Sequence, residues 1–348
     1  MKLKSLLAGM LLIAGVGASA HDFSATVNGQ RLYFEITNKA RHTVEVTYCG
    51  SITDKRPEGP KGRVEIPARV KHKDVVYQVA AIGQKAFAGS TRLQGIVIPS
   101  GVESIGDFAF EGCDSLQSIV FPGNAVTLGQ GIFFKCTMIE DVTIGSDWKT
   151  IDFTMFRWSN RLTRINIPAK IGQVKGVKKL AALKEITVDP NNAKFASEGG
   201  LLYNKNFTTL FACPRAMEGK VAIKEGTATI TPGALIDCTA VTELDLPASL
   251  TSMSFRETSR MDRLSTVVMR QLNPISTAFA DDKGYFLLQI ANPNVVIMVP
   301  DQTKKEYIAA LPAPGEYTEK TGGIPYTVTA AQIPTKKNIK GVKNFDKL

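Results

Sequence analysis

The sequence predicts a repeat solenoid of the β-rich α/β class, in which stacked turns of the chain build a parallel sheet along one side of a coil. Two observations predict this fold. A pattern that runs from Ile82 to Pro99 returns from Ile105 to Pro122, with every matching position shifted by the same interval. A fixed period of about 23 residues is typical of solenoids. Each copy also ends in a short segment of alternating apolar residues closed by a proline, which indicates a strand.

The repeat continues along the chain and makes seven rungs in all. Rungs three to seven cover residues 128–144, 151–168, 183–190, 230–247 and 253–269. The apolar side chains of a rung contribute roughly 1.5–3 kcal/mol each when they are buried. Every ordered residue costs about 1–2 kcal/mol of backbone entropy. A single rung therefore cannot fold alone, and the rungs must stack.

The second rung is the most regular copy of the repeat. Its pattern residues are Ile105-Gly106, Ala109-Phe110, Gly112-Cys113, Leu116, Ile119 and Phe121-Pro122. These residues resemble the BspA-like leucine-rich repeats of bacterial surface and secreted proteins, and the likeness covers about residues 79 to 300. The resemblance implies a right-handed leucine-rich repeat coil with rungs of about 23 residues. Three rungs depart from this pattern, so we expect irregular turns there. The third rung has Gly145 in place of the proline, the fifth lacks the Ala-Phe pair, and the seventh has Arg256-Glu257.

An interruption of the repeat at about residues 189–229 resembles a hairpin insertion of the same family. The matching residues are Asn191-Asn192, Gly200 to Lys205 and Cys213-Pro214. The pattern of apolar segment, Asn-Lys-Asn turn and apolar segment predicts two strands. We expect this hairpin to replace a regular rung without breaking the stack.

Residues 1–20 read as a secretory signal peptide. Lys2 and Lys4 precede an apolar run from Leu6 to Gly17, and small residues follow it before His21. The run is too short to span a bilayer, and no later stretch is long enough, so we expect a soluble exported protein without a transmembrane segment. The cell surface, the medium and the periplasm are its possible compartments.

Residues 21–78 predict a small N-terminal β cap. Asn28-Gly29 lies between two apolar alternating segments and is a strong hairpin signal. His42 to Tyr48 and Arg63 to Ile66 read as further strands. A cap of this kind covers the apolar end of the first rung; an independent ligand domain is the alternative.

Residues 79–311 are the predicted solenoid, and a short helix at about 302–311 is expected to close it. Asp301 is the expected N-cap of this helix. Tyr307 stands at a position that resembles the C-terminal ending of the family's repeats. Residues 312–348 are rich in Gly, Pro, Thr and Lys. We expect them to form a basic, loosely ordered tail with one strand at Tyr326 to Thr329.

The fourth rung is the candidate site for ligand binding. Both tryptophans of the chain fall in it or just before it, at offsets where the earlier rungs have small or polar residues. Aromatic rings beside arginine are common in binding surfaces, but large rings could equally fill the gap that the short fifth rung leaves. Both interpretations stay open. The candidate ligand-binding residues are Trp148, Phe153, Trp158, Arg164, Asn166 and Asp141.

The outward positions of the sheet are a second candidate surface, because solenoids commonly bind partners there. The row changes from small neutral residues in the first rung to Glu243 and Asp245 in the sixth, which predicts an acidic end. A merely solvated face is the alternative.

Five cysteines make an odd number, and Cys113, Cys136 and Cys238 share one repeat offset. This offset indicates small buried residues. A bridge between Cys113 and Cys136 is the alternative, because neighbouring rungs stack at roughly 4.8 Å.

The sequence has no motif of a hydrolase, metalloprotease or nucleotide-binding enzyme, and it has no histidine after residue 72. We therefore expect no enzymatic activity, no cofactor and no metal. The net charge of +10 becomes +8 when Lys2 and Lys4 are removed. The basic residues are dispersed and an exported chain meets little nucleic acid, so nucleic acid is not an expected partner.

The sequence thus predicts an exported, non-enzymatic protein, a monomer, that binds a macromolecule. The resemblance implies cell-surface adhesion to a protein or glycan ligand on a host or neighbouring cell. A glycan-binding module and a scaffold or inhibitor of the bacterial envelope are the alternatives.

Overall fold

The computed structural model describes residues 21–48, 59–124, 126–253, 255–258, 260–274, 290–311, 315–318, 325–328 and 333–345. The predicted signal peptide lies outside these residues. Within them the chain forms a series of parallel strand rows, preceded by an antiparallel N-terminal part.

The N-terminal part begins with the antiparallel strands β1 (Phe23–Val27), β2 (Gln30–Asn38) and β3 (Thr43–Thr47). Asn28 and Gly29 connect β1 to β2, with φ angles of 48° and 76°. Two residues with positive φ are what a tight hairpin turn requires. The predicted hairpin is confirmed.

A second hairpin was missed by the sequence reading. After β4 (Gly62–Glu65), β5 (Arg69–His72) pairs antiparallel with β6 (Val75–Ile82). Its turn residue Lys73 has a φ of 53°, a conformation that glycine or asparagine usually signals. β6 also pairs parallel with β3, which joins the N-terminal part to the repeats.

The first rungs contribute strands to two parallel rows, in agreement with a leucine-rich repeat fold. β4, β7, β9 and β11 form one row, while β6, β8 and β10 form the other. Ser118 of β9 pairs with Asp141 of β11, and Ile105 of β8 pairs with Leu128 of β10, so paired residues occupy the same position in successive rungs. The strands are β7 (Leu93–Val97), β8 (Ser104–Ile105), β9 (Ser118–Val120), β10 (Thr127–Leu128) and β11 (Asp141–Thr143).

The fourth and fifth rungs form two separate parallel pairs, β12–β14 and β13–β15. Their turns are short 3₁₀ helices at Phe153–Phe156 and Val177–Lys179. The strands are β12 (Thr150–Asp152), β13 (Arg164–Ile167), β14 (Gln173–Lys175) and β15 (Glu185–Val188).

The insertion forms the expected hairpin and joins two hydrophobic cores. β17 pairs antiparallel with β16 and β18, and β18 then pairs parallel with β20. Leu202 packs in the core of the preceding rungs, while Leu201 and Tyr203 pack in the core of the following ones. The strands are β16 (Phe195–Glu198), β17 (Leu201–Asn204), β18 (Thr209–Ala212), β19 (Gly219–Ala222) and β20 (Thr229–Ile230).

The last rungs form the parallel sheet β19-β21-β22-β23-β26. A 3₁₀ helix at Phe255–Thr258 lies in the seventh rung, another at Asp301–Thr303 precedes α1 (Lys304–Ala309), and β24 pairs antiparallel with β25. The strands are β21 (Val241–Leu246), β22 (Thr266–Met269), β23 (Val296–Pro300), β24 (Gly315–Thr318), β25 (Pro325–Val328) and β26 (Ile339–Val342).

The closing helix begins later than predicted, because Asp301 lies in the 3₁₀ turn and the cap position of α1 is Thr303. Tyr307 is buried as expected, and its hydroxyl donates to the carbonyls of Gln271 and Asn273 at 3.1 and 3.2 Å. These bonds fix the helix against the seventh rung.

Residues 333–345, within the predicted tail, pack against the last parallel sheet. β26 pairs parallel with β23, Ile339 is buried, and the Asn338 side chain donates to the carbonyls of Pro293 and Val295 at 2.9 and 2.8 Å. The sequence reading missed this strand because lysines at 336, 337, 340 and 343 surround its single buried isoleucine.

A column of stacked phenylalanines runs through the first four rungs. Phe87, Phe110, Phe133 and Phe156 stack with ring centroids 5.1, 5.3 and 5.2 Å apart, and all four are buried. Regular stacking of identical residues makes each rung the packing surface for the next.

The shared cysteine offset forms a second buried column beside the phenylalanines. Cys113 and Cys136 are free thiols that donate to the carbonyls of Phe87 and Phe110 at 3.1 and 3.0 Å. The hydrogen bond with Cys136 and the burial raise the pKa of the Cys113 thiol. The cysteines therefore act as small packing residues.

Candidate functional site

Two of the six candidate residues lie in the core. Trp148 is 3% exposed, packs on Phe121 with ring centroids 5.0 Å apart, and donates from Nε1 to the carbonyl of Asn124 at 2.8 Å. Phe153 is fully buried. Neither side chain offers a surface to a macromolecule, so packing is the role of both.

The indole of Trp148 also explains why the third rung has no proline. A Cβ atom at Gly145 would collide with the carbonyl of Pro122 and would lie 2.5 Å from Trp148 Nε1. The absent side chain makes room for the ring. Gly145 and Trp148 both depart from the repeat, and the small residue and the large ring pack together.

Asp141 lies on β11 in the four-stranded sheet, whereas Arg164 and Asn166 lie on β13 in the sheet β13-β15, and all three side chains are exposed. Arg164 Nε lies 3.0 Å from the carboxylate of Glu185, and Asn166 donates to Thr187 Oγ1 at 3.0 Å. Arg164 and Asn166 are thus paired along the sheet. Exposed pairs of this kind contribute little free energy.

The predicted acidic positions on β21, in the last parallel sheet, are neutralised. Lys220 Nζ lies 2.7 Å from Glu243, and Arg270 donates two bonds of 2.8 and 2.9 Å to the carboxylate of Asp245. The ring of Phe345 lies 5.4 Å from the Arg270 guanidinium. Two cations balance two carboxylates, so the expectation of an acidic surface was wrong.

Trp158 is the candidate residue that combines exposure with aromatic neighbours. It is 41% exposed, and its ring meets that of Phe134 edge to face at a centroid distance of 5.4 Å. Phe134 meets Phe108 in the same way at 6.4 Å. The guanidinium of Arg157 lies 5.4 Å from the Trp158 ring, and Lys135 Nζ lies 5.3 Å from the Phe134 ring. We call these five side chains the aromatic face.

The repeat explains where the aromatic face lies. Phe108 occupies the offset of Lys85 and Gly131, and all three have positive φ angles, of 54°, 55° and 58°. A Cβ atom at Gly131 would lie 2.5 Å from the Phe108 ring. Glycine at this place therefore lets the ring of Phe108 lie across the third rung toward Phe134.

A groove of about 420 Å³ runs between the third and fourth rungs beside these rings. Leu128, Ile132, Phe134, Met155 and Trp158 supply its apolar walls, and Arg157 lies among its lining residues. A second depression, of 760 Å³, borders Arg164 and Glu185 on the sheet and has no lining residue in common with it. The six candidates thus divide between the core, the sheet and the groove.

Sequence reasoning missed Phe108, Lys135 and the groove. Phe108 stands where the neighbouring rungs have lysine and glycine, and this contrast was the available signal. Within the described residues, no group of three or more His, Cys, Asp or Glu side chains could hold a metal ion. None of the helices described is long and apolar enough to cross a bilayer.

Comparison with known proteins agrees with this architecture. The family model of the BspA type leucine rich repeat region matches residues 73–198 with six copies. The chain carries BspA-type leucine-rich repeats. Proteins with BspA-type repeats are generally non-enzymatic binding proteins of the bacterial surface or medium.

Solved structures that are similar to this chain come from several bacteria. The pneumococcal vaccine antigen PcpA has a TM-score of 0.48 at 16% identity, over 80% of this chain and 82% of that one. A leucine-rich repeat protein from Bacteroides ovatus has a TM-score of 0.44 at 17% identity, over 83% and 81%. The T. pallidum leucine-rich repeat protein TpLRR has a TM-score of 0.38 at 16% identity, over 60% and 87%. No curated protein sequence matches the chain.

The matched BspA-type region contains the complete aromatic face. Phe108, Phe134 and Trp158 lie in its second, third and fourth rungs, at turn positions that the repeat leaves variable. The neutralised pair Glu243 and Asp245 lies beyond the match. These rings, of which Trp158 is exposed and the other two are half-buried, are therefore additions to a regular scaffold.

Proposed function

We propose that this chain is an exported, non-enzymatic leucine-rich repeat protein that binds a macromolecular ligand at its aromatic face. The ligand belongs to a host or neighbouring cell, and the biological role is cell-surface adhesion. The proposal includes a right-handed coil whose rungs keep the repeat period of the sequence, a monomeric protein and delivery by the signal peptide of residues 1–20.

The observation that carries the proposal is the exposure of Trp158 beside a second aromatic ring and a guanidinium. Val76, Trp158 and Leu272 are the strongly exposed large apolar side chains in the described part of the chain. Of these, Trp158 has an aromatic ring and a cation against it. Tryptophan and arginine dominate the binding energy of protein interfaces, and an exposed tryptophan gains most when a partner covers it.

The aromatic face also supports binding rather than catalysis. Its polar groups are the cations of Lys135 and Arg157, and each lies against a ring. No nucleophile with an adjacent base, as covalent catalysis requires, stands among its five side chains. The groove offers contact area beside the guanidinium of Arg157, which suits recognition.

A binding array tests the proposal. The processed protein is applied to immobilised matrix proteins and glycans near physiological salt, beside Trp158→Ala and the matched sheet variant Arg164→Ala. We expect a specific signal that Trp158→Ala weakens at least about tenfold and that Arg164→Ala retains. A signal that only Arg164→Ala abolishes would place the site on the sheet and contradict the proposal.

A further inference from the structure

The turns of the first three rungs are joined by a ladder of backbone hydrogen bonds. Every second N–H group of one turn donates to a carbonyl of the next turn, at 2.7 to 3.0 Å. The donor and acceptor pairs are Lys85 and Asp107, Phe87 and Ala109, Gly89 and Glu111, Phe108 and Gln130, Phe110 and Ile132, and Gly112 and Phe134.

This ladder ends at the third rung. The equivalent donors are the N–H groups of Gly131, Phe133 and Lys135, and in the described residues, which include the whole fourth-rung turn, they donate to no carbonyl. The reason is local. The fourth turn winds into the 3₁₀ helix Phe153–Phe156, whose start is capped when Asp152 Oδ1 accepts from the N–H of Thr154 at 2.9 Å.

The interruption opens the groove on its outer side only. Phe133 and Phe156 still stack at 5.2 Å, so the core stays closed, and Phe133 is fully buried. Gly131 and Lys135 are exposed at the turn. The N–H groups of Gly131, which lines the groove, and of Lys135, at the same exposed turn, therefore continue the ladder without a backbone acceptor in the described part of the chain.

We propose, on the basis of the function proposed above, that this groove binds an extended protein segment that continues the interrupted ladder. Carbonyl groups of the segment accept hydrogen bonds from the N–H groups of Gly131 and Lys135. One apolar side chain of the segment packs against Trp158 and Phe134. Addition of a segment to an unpaired backbone row is a common mode of peptide recognition, in which pockets beside the row supply specificity.

Two cations beside the exposed ring favour an acidic segment, because the one carboxylate that lines the groove, that of Asp152, already accepts a hydrogen bond from the N–H of Thr154. Lys135 and Arg157 are exposed, and each lies over an aromatic ring that borders the groove. A carboxylate on either side of the apolar side chain would meet these cations. Opposite charges across an interface steer the encounter and fix the register of the bound chain.

The ring geometry favours a protein segment over a polysaccharide. The planes of Phe108 and Phe134 meet at 85°, and those of Phe134 and Trp158 at 89°. Successive rings thus form a corner instead of the flat platform on which sugar rings stack. An apolar side chain fits such a corner because edge-to-face rings leave a pocket between them.

A library of displayed linear peptides, selected on the immobilised processed protein, tests the inference. We expect enriched peptides to combine one aromatic or aliphatic anchor with flanking Asp or Glu. Affinities of the synthesised peptides should fall at least about tenfold in Trp158→Ala and Arg157→Glu and should be unchanged in Arg164→Ala. Amide hydrogen exchange over residues 129–136 should slow when the peptide binds, a readout that does not depend on any variant.

The outcomes separate this inference from the general proposal. Trp158-dependent binding of polysaccharides without peptide enrichment would overturn the inference and leave the binding function standing. Peptide binding without slower exchange over residues 129–136 would also overturn it, because the backbone row would then be unused. Absence of any Trp158-dependent binding, with unchanged unfolding of the variants, would overturn both.

Discussion

The buried carboxylate of Glu257, in the seventh rung, accepts a hydrogen bond of 2.7 Å from the backbone N–H of Leu235 in the sixth. Its other oxygen accepts one of 2.5 Å from the N–H of Gly233. Lys178, in the 3₁₀ helix before the fifth rung, donates to the carbonyl of Pro232, the neighbour of Gly233, at 2.8 Å. Glu257 therefore joins two rungs by side-chain hydrogen bonds, at donor positions where the second rung donates to backbone carbonyls of the third.

Replacement of Glu257 should destabilise the C-terminal core. In Glu257→Ala two N–H groups lose their acceptor, and Leu235 is fully buried. We expect the free energy of unfolding in urea to fall by about 2–3 kcal/mol, because an unsatisfied buried donor costs about 1–3 kcal/mol. Glu218→Ala, which removes an exposed carboxylate, is the control. A loss in Glu257→Ala no larger than in the control would contradict this role.

The stability that Glu257 contributes should decrease as pH rises. Burial raises the pKa of Glu257 above its ordinary value of 4.5, against the opposing bonds from Leu235 and Gly233. The folded protein therefore holds this proton more strongly than the unfolded chain. The contribution is complete below the ordinary pKa and is lost as pH rises through the folded pKa.

Urea unfolding of the wild type and Glu257→Gln at several values between about pH 4 and pH 7 measures this effect. The free energy of the wild type relative to the variant should decline with rising pH. A relative free energy that increases over this range would show that the pKa of Glu257 is lowered instead.

The repeat made the strands and the core predictable, while the turns depended on individual contacts. Ile96, Ile119 and Ile165 are buried at the positions where period-two alternation places them. The sequence could not show that Arg270 pairs with Asp245, because the partners are 25 residues apart on different rungs. The sequence also could not show which large rings of the fourth rung face inward, because the turn of that rung is a 3₁₀ helix and differs from the turns of the earlier rungs.

Gly145 should resist substitution although the repeat favours proline there. In Gly145→Ala the new Cβ atom would collide with the carbonyl of Pro122 and the Trp148 indole. We expect a loss of about 1–3 kcal/mol in the free energy of unfolding, as is typical of overpacked cores. Gly172→Ala is the matched control, because the nearest atom to its Cβ is the carbonyl oxygen of Lys149 at 3.9 Å. Equal effects of the two changes would refute the steric explanation.

The C-terminal strand should open locally when Asn338 is replaced. Its amide donates to the carbonyls of Pro293 and Val295, and these bonds place β26 beside β23. In Asn338→Ala we expect amide exchange over residues 339–342 to become roughly tenfold faster, which corresponds to the loss of about 1.4 kcal/mol of hydrogen bonding. Lys340→Ala, with an exposed side chain on the same strand, should leave the exchange rate nearly unchanged. If both variants exchange alike, Asn338 does not hold the strand.

Replacement of Trp148 should mainly lower stability, whereas replacement of Trp158 should mainly weaken binding. The two roles considered for the fourth rung, packing and recognition, then belong to different residues. Trp148 is buried against Phe121, so Trp148→Ala should lower the free energy of unfolding by about 3–5 kcal/mol. Trp158 is 41% exposed, so Trp158→Ala should cost about 1 kcal/mol or less. Urea unfolding measures both losses, and the displayed peptides measure binding at a temperature where both variants are folded. Binding that depends on Trp158 with little change in stability would separate recognition from packing, whereas a large stability loss in Trp158→Ala would assign this ring to the core as well.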